Sequence, residues 1–280
     1  MFYRVLAESS STQSVLSILI TFSHPSISAG ASACNFYCAA STVLPAAGVR
    51  VLLLAAQGEY SYYIFDVQSK LQATGAFAAV DTFDALSSTP SLSTLKGYNA
   101  VLAWFCCGSV LDSDVGDVLA QYWDGGGAVV AADTLIFQGR FGTVANGYLL
   151  IDATAGDKGP SDSLGAVLEP QSPLMAGVAS LSASEAWSST GAVINGGVVV
   201  AKWASNGRPL VVRGTLAGRP LVTLNMLPPS SDARSTYWTG DGVALMRNAL
   251  LYSVCAPCVA GTFAAAAGAR NVSVTKGRRG

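Results

Sequence analysis

The stretch Val49-Arg50-Val51-Leu52-Leu53-Leu54-Ala55-Ala56 decides the fold. It carries one charge and three successive leucines, without the apolar-polar alternation of a half-exposed strand. Such a run describes a strand covered on both faces, as in sheets flanked by helices. A helix pattern does follow. Ser61 has the character of an N-cap, Ile64, Val67 and Leu71 recur at helical spacing, and Gly75 closes the pattern.

The unit then repeats. Phe77 to Phe83 reads as a second strand, and Thr89-Pro90 opens a short helix with proline at its first position. Asn99 to Phe105 is the third strand. Asp112, Ser113 and Asp114 crowd the next helix start, where the positive end of the helix dipole favours carboxylates. Val115, Val118, Leu119 and Tyr122 form its buried face, and Gly125-Gly126-Gly127 leads into a fourth strand, Ala128 to Ala132. A β-α-β-α-β-α-β order implies a parallel sheet with right-handed crossovers and helices on both faces. The fold expected is α/β: a flavodoxin-like three-layer αβα sandwich with a mainly parallel sheet.

Beyond residue 138 the texture changes. Residues 138–196 are rich in Gly, Ser and Asp, with weak periodicity, and read as long surface loops with short elements. Val198 to Trp203, Leu210 to Thr215 and Leu221 to Leu227 follow, separated by Asn206-Gly207 and Ala217-Gly218. They read as an antiparallel meander in the C-terminal half. A last helix from about Asp241, with Val243, Met246, Ala249 and Leu250 facing inward, returns to the sheet and completes a domain spanning 49–253.

In 280 residues, 51% hydrophobic and 12% charged, there is ample material for a core. The formal net charge of −1, with Lys and Arg scattered, excludes the basic stripe of a nucleic-acid binder. Arg4, the apolar stretch Val15 to Phe22 and the small-residue run Ala29 to Ala33 read as a signal peptide or leader over 1–33. That apolar stretch is too short to span a bilayer, which needs about 20 residues, and no other stretch is long enough. The six cysteines fall in close pairs: Cys34 with Cys38, Cys106 with Cys107, and Cys255 with Cys258. All six are disulfide candidates in an oxidising compartment. The only histidine is His24, within the leader. A chain cleaved after the leader would lack imidazole and, with it, Ser-His or Cys-His catalysis and His-ligated metal. No cofactor or metal is expected.

The order and local wording resemble the class I glutamine amidotransferase-like superfamily, and within it the trehalose-utilisation-like (ThuA-like) branch. The resembling passages are Tyr98-Asn99-Ala100-Val101-Leu102, the helix-to-strand run Leu119 to Val130, and Ser172-Pro173-Leu174-Met175-Ala176-Gly177-Val178. In the last of these Ser172 stands where that branch commonly has His. Gly218 to Asn225 and Asn248 to Tyr252 resemble its last strand and last helix. Separately, Cys255-Ala256-Pro257-Cys258-Val259-Ala260-Gly261-Thr262-Phe263 resembles the start of an ephrin-receptor-like cysteine-rich repeat. It is cut short, since no cysteine follows through the tail at 255–280. Asn271-Val272-Ser273 is a glycosylation acceptor sequence. Together these imply a secreted or cell-surface fragment of a larger extracellular protein.

In open α/β sheets ligands bind beyond the carboxyl ends of the strands. The residues expected there are Gln57, Glu59, Asp84, Asp133 and Asn225, with Trp238 approaching from the loop before the last helix. Cys106 and Cys107 follow the third strand, where a nucleophile would sit. The amidotransferase elbow resembles Gly-x-Cys-x-Gly, yet Trp104 and Phe105 occupy the preceding positions, so a free thiol pair, a vicinal disulfide and a nucleophile all stay open. Glu59 and Asp133 could form a carboxylate pair for hydrolysis of a sugar. Tyr60, Tyr62 and Tyr63 could stack on a carbohydrate or simply face solvent at a helix start. Trp187, Trp203 and Trp238 read as core or rim packing. The function expected is a non-catalytic ligand-binding or interaction module for a small molecule or glycan. A His-independent hydrolase and a structural spacer are the alternatives.

Overall fold

The computed structural model describes residues 42–43, 48–56, 62–105, 112–132, 147–152, 156–254 and 256–257. The expected leader, Asn271 and the C-terminal repeat lie outside these residues, apart from two positions in a short ribbon that pairs β1 (Thr42–Val43) with β14 (Ala256–Pro257). The disulfide candidates Cys34, Cys38, Cys106, Cys107, Cys255 and Cys258 also lie outside the described residues. The expectation of disulfides among these six therefore gains no support from the fold.

The opening stretch forms β2 (Arg50–Ala56), and every residue after Arg50 is buried. Helix α1 (Tyr62–Ala73) follows and buries Tyr63, Ile64, Val67 and Leu71, the period-3.6 face expected. β3 (Ala79–Asp84) lies beside β2 in parallel register. The short helix α2 (Leu92–Leu95) begins later than Thr89-Pro90 suggested, because the Ser91 hydroxyl accepts from the Thr94 N–H and fixes the start. β4 (Ala100–Phe105), α3 (Asp112–Asp124) and β5 (Ala128–Ala132) complete the repeating unit.

Both faces of these parallel strands are packed. On one, Val51, Leu53, Leu102 and Val130 meet Ile64 and Val67 of α1 and Leu245, Met246 and Ala249 of α4 (Gly242–Ser253). On the other, Leu52, Leu54, Val101 and Val129 meet Leu95 of α2 and Val115, Leu119 and Trp123 of α3. Each fully buried Leu or Val contributes about 1.5–3 kcal/mol, so the apolar run of β2 commits the chain to helices on both faces.

The remaining strands are β6 (Gly156–Lys158), β7 (Asp162–Val167), β8 (Leu181–Ala183), β9 (Trp187–Ser189), β10 (Val198–Trp203), β11 (Pro209–Leu216), β12 (Arg219–Leu224) and β13 (Trp238–Gly240). One ten-stranded sheet runs β13-β8-β7-β10-β11-β12-β5-β4-β2-β3. Its β3, β2, β4, β5 and β12 are parallel neighbours, whereas β12-β11-β10-β7-β8-β13 pair antiparallel throughout.

One expectation is corrected here. The sheet is mixed α/β and more antiparallel than parallel, not mainly parallel. Past residue 147 the chain returns without long helical crossovers, and strands joined in that way pair antiparallel. Within the weakly periodic region the described elements are short: β7 and β8 extend the sheet, and β6 pairs with β9 in a separate ribbon. The meander is present as β10-β11-β12. Its tight turn at Ala217-Gly218 has positive φ at both residues (50° and 76°), the geometry that matches strand twist in a two-residue hairpin. The buried Asp162 carboxylate secures the other turn, accepting from Ser205 N (2.9 Å), the Ser205 hydroxyl (2.5 Å) and Asn206 Nδ2 (3.1 Å).

Candidate ligand-binding edge

The carboxyl ends of the parallel strands are Ala56, Asp84, Phe105, Ala132 and Leu224, all on one edge of the sheet. The chain passes from β2 to β3 on one side and then to β4 on the other, so strand order reverses between β2 and β4. A crevice at such a reversal is where open α/β sheets hold ligands. Gln57, Glu59, Tyr60, Cys106, Cys107 and Asp133 fall in segments outside the described residues.

Three expected site residues are described. Asp84, exposed at the end of β3, accepts from Leu86 N (2.9 Å) and the Ser87 hydroxyl (2.9 Å) and so closes its own turn. Asn225 is fully buried just past β12. Its Oδ1 accepts from Ser189 N (2.6 Å), and its Nδ2 donates to Ser189 O (3.1 Å) and Pro209 O (2.8 Å), using both of its protons. Trp238 is 5% exposed, and its indole donates to Pro228 O (2.9 Å). Asp84 and Asn225 end strands four positions apart, about 19 Å at the usual spacing, so they do not converge on one small ligand.

Asn225 and Trp238 do share one neighbourhood. The Trp203 indole, at the end of β10, donates to Asn225 O (2.9 Å). Trp187, Trp203, Tyr237 and Trp238 surround a small cavity of about 10 Å³ with Glu185 at its wall, room for a water and not for a sugar ring. From it a row of aromatic rings reaches the surface. The Tyr237 ring meets Tyr63 edge-on at 5.5 Å, and Tyr63 meets Tyr62 at 4.5 Å. Donation to Tyr63 raises the Tyr62 phenol above its ordinary value, and burial, then donation to Tyr237, raise that of Tyr63. Tyr62 is 49% exposed at the N-terminus of α1, beside the segment that follows β2.

The sequence did not single out Arg234, Glu185 or Tyr237. The Arg234 guanidinium lies over the Tyr237 ring at 5.5 Å and 3.7 Å from the Glu185 carboxylate. Its side chain is 45% exposed and that of Glu185 16%. Arg234 is the only cation between Pro228 and Asp241, and Tyr237-Trp238 is an aromatic doublet; these were the available signals. The loop that carries both is fastened to α1, where the Asp66 carboxylate accepts from Ser230 N (2.7 Å) and the Ser230 hydroxyl (3.1 Å).

The Ser172–Val178 passage folds as a 3-10 turn at Pro173–Met175 beneath α4. The Asn248 side chain donates to Leu174 O (3.1 Å) and Ala176 O (2.8 Å). The Asp241 carboxylate accepts from Ala179 N (2.9 Å), Ser180 N (2.8 Å) and the Ser180 hydroxyl (3.1 Å), and the two backbone N–H groups hold its carboxyl below the usual range. These groups anchor the helix. Among the described residues no group of His, Cys, Asp and Glu could hold a metal ion, and no helix is long and apolar enough to cross a membrane.

No protein-family profile matches the chain, and no curated protein sequence does. Solved structures do resemble it in fold. A ThuA-like protein of Bacteroides uniformis superposes with a TM-score of 0.55 at 14% identity, over 82% of this chain and 95% of that one. A cytoplasmic protein of Salmonella typhimurium gives 0.53 at 11% identity, over 73% and 99%; a second, from Salmonella typhimurium LT2, gives 0.54 at 14%, over 72% and 98%. The ThuA-like part of the expected resemblance is therefore matched by structural neighbours, whereas the ephrin-like repeat finds no support. The expectation of a secreted or cell-surface protein is corrected, because two of these neighbours are described as cytoplasmic proteins. The oxidising compartment that made Cys34, Cys38 and the other four cysteines disulfide candidates goes with it. The absence of imidazole also rested on a cleaved leader; with secretion set aside, it holds for the described residues alone. The chain shares the fold of a ThuA-like protein across most of both lengths.

Proposed function

We propose that the chain is a non-catalytic, amidotransferase-like ligand-binding module that takes a carbohydrate-like ligand at the carboxyl edge of its parallel strands. The observation that carries this reading is the row Trp238, Tyr237, Tyr63 and Tyr62. It runs from the buried end of β12 to the exposed start of α1 and is flanked by Arg234 and Glu185. Aromatic faces beside a few fixed polar groups are the usual make-up of a site for a ligand with both apolar and hydroxylated surfaces. The parallel strands run β3-β2-β4-β5-β12, with the order reversing between β2 and β4, and such a reversal supports binding at the β2/β4 crevice. Likeness to a ThuA-like protein, of the trehalose-utilisation-like branch, points in the same direction.

The non-catalytic part of the reading draws on the described polar groups of the edge, which are committed to the fold: Asp84 to its turn and Asn225 to the main chain. The test is a glycan array probed with the full chain, followed by calorimetric titration of the best ligands and prolonged incubation with each. Saturable binding without product is expected. Release of reducing sugar would replace this reading with a hydrolase, and silence across the array would remove the carbohydrate.

A further inference from the structure

We infer that Arg234 and Glu185 form a diol-recognition pair, and that the ligand of this edge is a neutral pyranose stacked on the exposed Tyr62 ring. The inference rests on the reading that the edge binds carbohydrate, and it adds which hydroxyl chemistry is read and by which residues.

The argument begins with the spacing. Arg234 Nη2 lies 3.7 Å from Glu185 Oε2, an ion-pair distance longer than a hydrogen bond. A guanidinium has five N–H donors in a fixed fork. Here it sits over the Tyr237 ring, with hydrogen bonding to the Tyr237 hydroxyl as the main cause of its raised pKa, so the ring orients the fork. The arrangement thus sets a half-exposed cationic donor beside a largely buried anionic acceptor, whose Oε2 is shielded from solvent and makes no hydrogen bond.

A ligand carboxylate or phosphate would satisfy Arg234 but face repulsion from Glu185. A ligand ammonium would meet the reverse. A hydroxyl both donates and accepts. Two adjacent hydroxyls can therefore accept from Arg234 and donate to Glu185 together, without an uncompensated charge. The apolar face of the same ring then needs a surface, and Tyr62 supplies an exposed one, joined to the Tyr237 ring under Arg234 through Tyr63. Phe65, 56% exposed one turn further along α1, extends that surface.

The experiment uses the full chain and the best neutral glycan from the array, with its uronic acid analogue and its monodeoxy analogues. The uronic acid and at least one deoxy analogue should bind about tenfold or more weakly than the parent, the scale of one hydrogen bond to a charged group. Arg234→Gln and Tyr62→Ala should each weaken the parent by a similar factor. Glu185→Gln should narrow the gap between the parent and the uronic acid, a change in preference that mere loosening of the site would not produce. Arg234→Lys keeps the charge but not the fork and should also bind weakly, which retains the test if Arg234→Gln fails to fold. Neutral glycan binding that all four variants leave unchanged overturns this inference and leaves the binding module standing. Absence of any glycan binding overturns the reading beneath it, and the inference with it.

Discussion

The Trp203 indole N–H donates to the main-chain carbonyl of Asn225 at 2.9 Å, tying the end of β10 to the first residue past β12 across the start of β11. The Asn225 side chain completes the tie through Ser189 and Pro209. The antiparallel half of the sheet is thereby pinned to the parallel half where the aromatic row begins. The residue expected to meet a ligand instead holds the wall on which one would rest.

Asn225→Asp tests that role. The substitution keeps the shape but exchanges two donated protons for an acceptor facing Ser189 O and Pro209 O, in a site with no solvent exposure. It should cost about 2–4 kcal/mol, since an unsatisfied buried group loses its hydration without recompense. Asn225→Ala should cost a similar amount. Urea denaturation with an unchanged slope is the measurement, and a loss below about 0.5 kcal/mol would remove the structural role.

Gly127→Ala should destabilise the chain by about 1–3 kcal/mol, the range for overpacking a well-filled interior. A Cβ at Gly127 would overlap the Tyr122 ring. That ring is buried, and its hydroxyl donates to Tyr98 O at 3.0 Å, so it cannot swing away without losing the bond. A thermal melt reads the effect as a fall of several degrees, whereas Gly75→Ala meets no neighbouring atom and reports only backbone strain.

The triple glycine shows what the sequence could and could not disclose. That it ends α3 and leads into β5 is legible, because glycine punctuates a helix whose apolar face has already repeated. That Gly127 must lack a side chain for the sake of Tyr122 is not, since it depends on how the last helical turn folds over the strand. β2 and α1 were legible for the same local reason. β12 was legible as a meander strand but not as the parallel neighbour of β5, because pairing across about 90 residues leaves no mark in local pattern. The site divides in the same way. Trp238 and the tyrosines announce themselves as aromatics, whereas Arg234 and Glu185 come together only because two loops far apart in sequence fold against one another.

Acid should weaken the fold through two carboxylates. Two 2.6 Å bonds from Arg213 hold the Glu169 carboxyl below its ordinary value, and backbone N–H groups do the same for Asp241. A carboxylate depressed in the folded state contributes stability that is complete above its unfolded pKa, about 4, and is lost as pH falls through its folded value. Unfolding free energy should therefore fall below about pH 4, and Asp241→Asn should flatten that fall while lowering stability at pH 7. An equally steep acid dependence in Asp241→Asn would show that its contacts do not distinguish the charged form.

Asp66 joins stability to binding. Its side chain is 9% exposed, it accepts twice from Ser230, and Lys70 lies 3.5 Å away. The bonds cross 164 residues of sequence and fasten to α1 the loop that bears Arg234 and Tyr237. Asp66→Ala leaves the Ser230 N–H and hydroxyl without that acceptor, which should cost about 1–3 kcal/mol. It should also weaken glycan binding, although Asp66 meets no ligand, because Arg234 and Tyr62 would no longer be held in a fixed relation. Asp232→Ala is the control: that side chain is 74% exposed, and although it pairs with Lys70 at 2.5 Å, exposed pairs contribute about 0–1 kcal/mol. If Asp66 positions the site, its variant loses affinity at a temperature where circular dichroism shows the chain fully folded, and Asp232→Ala does not. Equal affinity in both variants would mean that the loop keeps its place without the Asp66–Ser230 bonds, through the Tyr63–Tyr237 contact and the Lys70–Asp232 pair.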